Sequence, residues 1–256
     1  RVETGSAKEM LSQLEKEEAD WDVAFGVSAD ALEEGKEYWQ TGKDAWTGYS
    51  AVSFVILYNT NVVTYRELPT GWDSLLEPRW KGRVAVPDPL KSDMAASVLT
   101  EAAKNSEKEE FLDLLAENMQ YQMPETFKEV EQGISDGRYS IGVTSEEAAK
   151  AMLAAGQDVD YIDPEEGECF FEDGTAIRKR TPNLDASEAF VTYTTCDDTK
   201  WLLRTQLLRQ PAEDVAAEND RSDEDLKQRY SRQQEVLNIW KLIMEEKSGS
   251  AHEQEQ

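Results

Sequence analysis

The sequence predicts an α/β protein, and three observations lead to that prediction. Helical patterns alternate with short apolar strands along most of the 256 residues, as they do where helices cover a sheet. Several of these strands end in a small or polar residue that can cap a following helix. Hydrophobic residues make up 39% of the chain, so a chain of this length can bury a substantial core.

The first half of the chain shows the alternation most clearly. Ser6 and Glu9 form a capping box, and apolar residues follow on one helical face. In order, we expect a helix from Ser6, a strand at residues 22–26, a helix from Ser28, a strand at residues 48–58, a turn and short helix at residues 68–76, a strand at residues 83–87 and a helix at residues 92–103.

The second half continues the alternation less regularly. We expect a helix at residues 109–118, a strand at residues 139–143, a helix opened by a capping box from Thr144 to Glu147, strands at residues 158–162 and 175–178, and a helix at residues 185–194. Residues 212–229 are charged and are expected to be irregular, whereas residues 233–245 form an amphipathic helical pattern. Residues 248–256 are expected to be a disordered polar tail.

Four of the predicted helices begin at a residue that can cap them, namely Ser6, Ser28, Ser92 and Thr144. In open α/β sheets, ligands bind beyond the carboxyl ends of the strands. Helix N-termini at that edge present free backbone N–H groups and the positive end of the helix dipole. Serine and threonine are also common caps, so any one of them is a weak indication of function. Together they favour a site for an anion.

The charge balance and the scarcity of histidine exclude several classes of protein. There are 53 acidic residues against 27 basic ones, for a net charge of −26, so we expect no nucleic-acid partner. The one histidine, His252, lies in the polar tail, and no arrangement of residues typical of a nucleophile, a metal centre or a cofactor is found. We therefore expect neither an enzyme nor a bound cofactor or metal. Cys169 and Cys196 lack metal-ligand spacing, and a disulfide between them stays open.

Several segments, taken in their order along the chain, resemble one family. Residues 77–89 read EPRWKGRVAVPDP, residues 22–30 read DVAFGVSAD, and residues 46–50 read WTGYS. They resemble motifs of the type II periplasmic solute-binding proteins, in the branch that serves uptake of ferric iron, phosphonate, thiamine or sugar phosphate. The resemblance covers roughly residues 2–215.

This resemblance implies a two-lobed, venus-flytrap fold with the ligand in the cleft between the lobes. We expect residues 1–53 in lobe 1, residues 54–167 mainly in lobe 2, and residues 168–247 in the return to lobe 1 and the C-terminal helices. The family usually has another strand and helix ahead of Thr4, so we expect lobe 1 to lack its first strand and helix. The expected role is that of an extracytoplasmic binding component, periplasmic or lipid-anchored, which delivers a small-molecule solute to the membrane permease of an ABC transporter. We expect a monomer, and the sequence shows no signal peptide.

By position, the resemblance implies a set of ligand-contacting residues. They are Thr4, Gly5, Ser6, Val27, Ser28, Ser92, Asp93, Met94, Thr144, Ser145, Glu146 and Glu168. Most relatives carry Ser-Gly-Thr where this chain has Ser92, Asp93 and Met94, and arginine and lysine are missing from these loops. The sequence therefore offers helix N-termini and carboxylates as the available ligand-binding groups.

Three interpretations of the ligand follow. An anionic or zwitterionic solute of the phosphonate or phosphate-ester type fits the helix N-termini, and carboxylates such as Asp93 or Glu146 would hold its amine or hydroxyls. Ferric iron is the alternative within the family, but the family's adjacent tyrosine pair is absent, and Tyr139 and Tyr161 stand apart. A module that senses a ligand for a signalling system would have the same core sequence.

Overall fold

The computed structural model describes residues 1–40, 45–167, 169–207, 209–216 and 223–254. The chain divides into two compact units. Unit 1 comprises Arg1–Val52 and Phe171–Arg232, and unit 2 comprises Ser53–Phe170 and Gln233–Gln256. The sequence-based division differs in keeping residues 233–247 apart from lobe 2, because an amphipathic pattern alone does not indicate which unit a helix packs against.

The described helices and strands alternate along most of the chain. The helices are α1 (Ala7–Glu15), α2 (Ala29–Glu34), α3 (Asp93–Asn105), α4 (Phe111–Asn118), α5 (Phe127–Ser135), α6 (Glu146–Ala154), α7 (Leu184–Thr194), α8 (Asp197–Leu202), α9 (Ala212–Ala216) and α10 (Asp223–Gln254). The strands are β1 (Val23–Ser28), β2 (Thr47–Asn59), β3 (Val84–Ala85), β4 (Ile141–Ser145), β5 (Val159–Ile162), β6 (Cys169–Ile177) and β7 (Gln210–Pro211). The α/β class predicted from the sequence is confirmed.

In unit 1, β1 and β6 are antiparallel. Val23 lies opposite Ile177 at one end of the pair and Ser28 lies opposite Asp173 at the other. The register shifts between Phe25 and Val27, where Gly26 has a φ of 72°, a conformation that glycine adopts without a steric penalty. The apolar faces of α1 and α2 pack beneath this pair, with a core that contains Leu11, Leu14, Ala24, Leu32, Trp39 and Ala176.

In unit 2, β4 lies between β2 and β3. It is antiparallel to β2, with Phe54 opposite Ser145, and parallel to β3, with Val84 opposite Ile141. The core contains Val55, Leu57, Ala85, Val130, Ile134, Ala149, Met152 and Val159. Tyr139 and Tyr161 pack against this core, so both tyrosines have a structural explanation.

Several elements differ from the prediction, which lacks α8, α9 and β7 and begins β6 near residue 175 instead of at Cys169. Helix α5 is absent from it, although Thr126 and Glu129 form a capping box at its start and are an N-terminal signal that the sequence contains. Helix α10 begins at Asp223 and continues to Gln254, through residues predicted to be irregular or disordered. Its length reflects Lys, Glu, Gln and Arg residues, which are good helix formers despite their polarity.

Two further findings concern the chain as a whole. Cys169 and Cys196 are both free thiols, so the disulfide that the sequence left open is not formed. None of the helices within the described residues combines the length and the apolar composition that a membrane crossing requires.

Candidate ligand-binding site

Two helix N-termini in unit 2 follow adjacent parallel strands. Because β3 and β4 are parallel neighbours, their carboxyl ends lie at the same edge of the sheet. The chain passes from that edge into α3 after the first strand and directly into α6 after the second. Their N-termini therefore begin beyond the carboxyl ends of the strands, where α/β proteins bind ligands.

Ser92 is the N-cap of α3, as the sequence predicts. Its hydroxyl oxygen accepts a hydrogen bond from the Ala95 N–H at 3.2 Å. That bond uses one of the four free N–H groups of the helix and leaves others for a ligand. Asp93 is in the first turn, its backbone carbonyl accepts a hydrogen bond from the Gln233 amide at 3.1 Å, and Met94 is half-buried.

The cap of α6 is Ser145, and the prediction of Thr144 as the cap is wrong. Strand β4 ends at Ser145, two residues beyond the expected end, so Thr144 is still in the strand, opposite Val55 and fully buried. Ser145 instead accepts the Ala148 N–H at 3.2 Å. Glu146 forms an ion pair with Lys150 at 2.7 Å and accepts a hydrogen bond from the Tyr161 hydroxyl at 3.4 Å.

We expect replacement of Ser145 by alanine to lower the free energy of unfolding by about 1 kcal/mol, because an N-terminal N–H of α6 loses its acceptor. Urea denaturation monitored by circular dichroism would measure the change. Ser145→Asp is the matched control, since aspartate caps a helix as well as serine does. Equal stability of the alanine and aspartate variants would contradict this assignment of the cap.

Glu131 on α5 is a candidate site residue that the sequence did not indicate. Its carboxylate accepts a hydrogen bond from the Thr144 hydroxyl at 2.6 Å, which places it beside the last residues of β4. Burial raises the pKa of Glu131, and the Thr144 hydrogen bond and the charge of Lys128 offset part of that rise. The residue was missed because α5 itself was missed.

In unit 1, the predicted capping box at the start of α1 is confirmed. Ser6 accepts the Glu9 N–H at 3.3 Å, and the Glu9 carboxylate accepts the Ser6 N–H at 2.9 Å. Thr4, Gly5 and Ser6 are exposed. Glu9 thus already places a negative charge on the N-terminal turn of this helix, which makes it less attractive to an anion than the N-termini of unit 2.

Ser28 occupies the N-cap position of α2 without capping it. Its side chain makes no capping hydrogen bond to the helix and instead bonds the side chain of Asp30, a buried residue whose pKa is raised by its burial. Val27 beside it is half-buried. The prediction that the Ser28 side chain caps α2 is therefore wrong. Because α2 has six residues, its dipole is small, and the ligand contact expected at Ser28 stays a prediction.

A polar cluster opposite Ser28 is a feature of unit 1 that the sequence did not indicate. Asp173, the strand partner of Ser28, accepts a hydrogen bond from the Ser50 hydroxyl at 3.0 Å and forms an ion pair with Arg209. Arg209 Nε donates to Ser50 Oγ at 3.0 Å. Burial raises the pKa of Asp173, and the Arg209 guanidinium offsets only part of that rise.

Aromatic side chains lie next to this cluster. Tyr49 stacks on Phe25 with a centroid separation of 4.7 Å, and Phe190 packs edge-on against Phe25 at 5.3 Å. Burial, and then the charge of Asp173, raise the pKa of Tyr49, so its hydroxyl stays protonated at neutral pH. Phe25 is 52% exposed, which leaves an aromatic surface open to solvent on β1.

The loop at residues 166–168 has a structural role at its first residue. The Glu166 carboxylate accepts hydrogen bonds from the Trp72 and Asp73 N–H groups at 2.9 and 3.0 Å. Trp72 Nε1 donates to the Gly167 carbonyl at 3.0 Å. The negative charge of Glu166 is therefore engaged in capping a short 3₁₀ helix, Trp72–Leu76. Glu168, the predicted ligand residue of this loop, lies outside the described residues.

Within each unit, the structure thus brings together some of the predicted ligand-contacting residues. In unit 2, Ser92, Asp93 and Met94 on one side and Ser145 and Glu146 on the other follow neighbouring parallel strands. In unit 1, Ser28 joins the Asp173 cluster. Over the described part of the chain, no group of three or more His, Cys, Asp or Glu side chains is placed to hold a metal ion.

Comparisons with known proteins agree with the fold. The sequence matches the model of the bacterial extracellular solute-binding protein family over residues 12–234. The chain belongs to this family, and it is the solute-binding component of an ABC importer that works outside the cytoplasm. No curated protein matches the sequence.

Three solved structures illustrate the similarity of fold. AfuA of Actinobacillus pleuropneumoniae with fructose 6-phosphate bound has a TM-score of 0.74 at 14% identity, covering 94% of this chain and 88% of that one. A ferric binding protein of Campylobacter jejuni has a TM-score of 0.73 at 16% identity, covering 93% and 89%. The periplasmic binding protein P5PA has a TM-score of 0.73 at 17% identity, covering 94% and 89%. The expected type II periplasmic-binding-protein fold is confirmed.

Proposed function

We propose that the solute is a small anion or zwitterion that carries a phosphate-ester or phosphonate group. The observation that carries this proposal is the pair of serine-capped N-termini, of α3 and α6, that follow the parallel strands β3 and β4. Each N-terminus offers backbone N–H groups that an anion can accept from. Each contributes about 0.3–1 kcal/mol, and up to about 2 kcal/mol where the geometry is partly buried.

The carboxylates near these termini support a zwitterion or a phosphorylated polyol rather than inorganic phosphate alone. Asp93 and Glu146 are in the first turns of the two helices, and Glu131 lies beside Thr144. Lys150 pairs with Glu146 and offsets part of its charge. The remaining carboxylates disfavour a bare anion, whereas an ammonium or hydroxyl on the same solute can be held by them. The net charge of −26 opposes binding little, because charges beyond the Debye length of about 8 Å are screened at physiological salt.

We further propose that the protein acts as a monomer, without catalysis and without a nucleic-acid partner, either free in the periplasm or lipid-anchored at the cell surface. Its macromolecular partner is the permease of the importer. The family is one of solute-binding proteins, and the acidic composition disfavours nucleic acid.

Ferric iron is the second candidate, and the similarity to the ferric binding protein of C. jejuni favours it. A tyrosine ligates iron as a phenolate, but burial and the charge of Glu146 raise the pKa of Tyr161. Tyr139 packs against the core of unit 2. The phosphorus-containing solute therefore agrees better with the available groups.

A thermal-shift screen distinguishes these candidates. The panel contains inorganic phosphate, 2-aminoethylphosphonate, fructose 6-phosphate, fructose, ethanolamine and ferric citrate. A solute present at one hundred times its Kd stabilises the folded state by about 2.7 kcal/mol, which raises the melting temperature by several degrees. We expect a rise with a phosphorus-containing solute and none with fructose or ethanolamine.

A rise with ferric citrate alone would replace the proposed solute by iron and leave the importer assignment intact. Equal rises with fructose and fructose 6-phosphate would show that the phosphate group makes no contribution, and would contradict the role of the helix N-termini.

A further inference from the structure

Arg209 is brought to unit 1's polar cluster by the strand that follows it. It precedes β7, whose two residues pair with β2 so that Gln210 lies opposite Ala51 and Pro211 opposite Ser50. This pairing places the guanidinium where Nε donates to Ser50 Oγ and Nη2 contacts Asp173. Side chains of β2 and β6 therefore hold one edge of the guanidinium, and the planar group cannot rotate without losing both contacts.

The cluster adjoins a loop in which the sequence predicts ligand contacts. Asp173 is the register partner of Ser28, the residue at which β1 ends and α2 begins. Asp173 thus lies between Arg209 and the end of β1. The sequence showed no arginine or lysine in the ligand-contacting loops, because Arg209 is more than 180 residues further along the chain than Ser28.

The guanidinium has donors left over. Arginine carries five N–H donors, and the described residues supply partners to Nε and Nη2 but none to Nη1. The Arg209 side chain is 18% exposed, against 9% for that of Asp173. The Nη1 group is therefore the part of the guanidinium that Ser50 and Asp173 leave available.

A purely structural ion pair is a weaker explanation of this arrangement. An ion pair buried for stability gains little over apolar residues of the same volume. A guanidinium held in place by Ser50 and Asp173, with one side open, can instead bind an anion without ordering a flexible side chain at the moment of binding. Guanidinium groups suit phosphate because their parallel N–H donors match two phosphate oxygens.

We propose that Arg209 is the charged donor that binds the acidic group of the solute and sets the preference for a phosphorylated over an unphosphorylated solute. Asp173 and Ser50 are positioning residues that hold the guanidinium. This assignment rests on the proposed function, and it adds a specificity-determining residue that the helix N-termini alone do not provide.

The test compares affinities for two matched pairs of probes, fructose 6-phosphate with fructose and 2-aminoethylphosphonate with ethanolamine, by isothermal titration calorimetry. Arg209→Lys keeps the charge beside Asp173 but loses the planar fork. The double variant Asp173→Asn with Arg209→Gln removes both charges and retains a polar pair. We expect each to weaken binding of the phosphorylated probe at least tenfold. Arg204→Gln is the matched control, because Arg204 is an exposed arginine in the same unit, paired with Asp214, and should leave affinity unchanged.

A second measurement, on the unaltered protein, distinguishes a loss of ligand contact at Arg209 from a loss of folding in the variants. The Arg209 Nε–Hε signal, assigned by its loss in Arg209→Lys, should shift in ¹H–¹⁵N spectra when fructose 6-phosphate or 2-aminoethylphosphonate is added and stay in place with fructose or ethanolamine. Wild-type affinity in both folded variants, or an unmoved signal at saturation, would overturn the role of Arg209 while the proposed function stands. If the unaltered protein binds neither phosphorus-containing probe, the proposed function fails and this inference fails with it.

Discussion

Replacing Asp173 with alanine is expected to lower the free energy of unfolding by about 3 kcal/mol. The substitution leaves the mostly buried Arg209 without its carboxylate and deprives the fully buried Ser50 hydroxyl of its acceptor. Removing one partner of a buried ion pair costs about 3–5 kcal/mol, and the lower end applies because Arg209 keeps some contact with solvent. Chemical denaturation followed by far-ultraviolet circular dichroism would measure the loss.

Asp173→Asn is the matched control for this prediction. It removes the carboxylate but keeps the size of the side chain and an oxygen that can accept from Ser50, so we expect a loss of about 2 kcal/mol, smaller than that of the alanine variant by the value of one hydrogen bond. A loss as large as that of the alanine variant would assign the effect to the charge alone. No loss in either variant would contradict the structural importance of the cluster.

The stability of the wild type relative to Asp173→Asn is also expected to depend on pH, with a defined sign. Burial raises the pKa of Asp173 above its ordinary value, so the folded state holds the proton more tightly than the unfolded state does. The stability that this proton contributes is fully present below about pH 4, the unfolded value, and is lost as pH rises through the folded pKa. Unfolding free energies of the wild type relative to Asp173→Asn should therefore fall as pH rises from about 4 towards neutrality. A relative increase would contradict the raised pKa.

Replacing Trp72 with alanine is expected to have an effect at least as large, a loss of about 3–5 kcal/mol. The indole is fully buried, and its Nε1 donates to the Gly167 carbonyl. The substitution leaves a cavity in unit 2 and leaves that carbonyl without its partner. It also disturbs the loop that carries Glu166, since the Trp72 N–H is one of the two donors to that carboxylate.

Trp201→Ala is the control for Trp72, because it makes the same chemical change at a residue that is 59% exposed. A surface substitution of this kind changes stability by about 0.5 kcal/mol or less. Both variants would be unfolded in urea under identical conditions. Similar midpoints for the two would contradict the burial of Trp72.

The sequence predicted the helices and strands that are marked by patterns within a few neighbouring residues. A capping box indicated α1, a cap followed by a helical pattern indicated α3, and continuous apolar runs indicated β2 and β4. It misplaced the cap of α6 by one residue, because Thr144 and Ser145 are both good caps and only the length of β4 decides between them. It missed α5, although Thr126 and Glu129 carried the same signal that was used elsewhere.

The candidate site was predictable only where a backbone feature defines it. Ser92 was found because its helix cap is visible in the sequence, whereas the cap of α6 was placed at Thr144, one residue before Ser145. Glu131 and Arg209 were not found, because side chains that meet through strand pairing are far apart in the chain: Arg209 is 36 residues from Asp173 and 159 from Ser50. Which of these side chains meet depends on the register of the paired strands. An apolar pattern shows which face of the sheet a side chain lies on, but not which residue of the neighbouring strand lies opposite it.

One titration tests the central claim, that this solute-binding protein recognises the acidic group of its solute. Isothermal titration calorimetry of the unaltered protein with fructose 6-phosphate and 2-aminoethylphosphonate, each beside its counterpart lacking phosphorus, measures that contribution directly. We predict saturable binding at one site per chain for a phosphorus-containing solute, and at least tenfold weaker binding of its counterpart, a difference of about 1.4 kcal/mol or more. Binding that is equal for the two members of each pair, or that is seen with ferric citrate alone, would contradict the account.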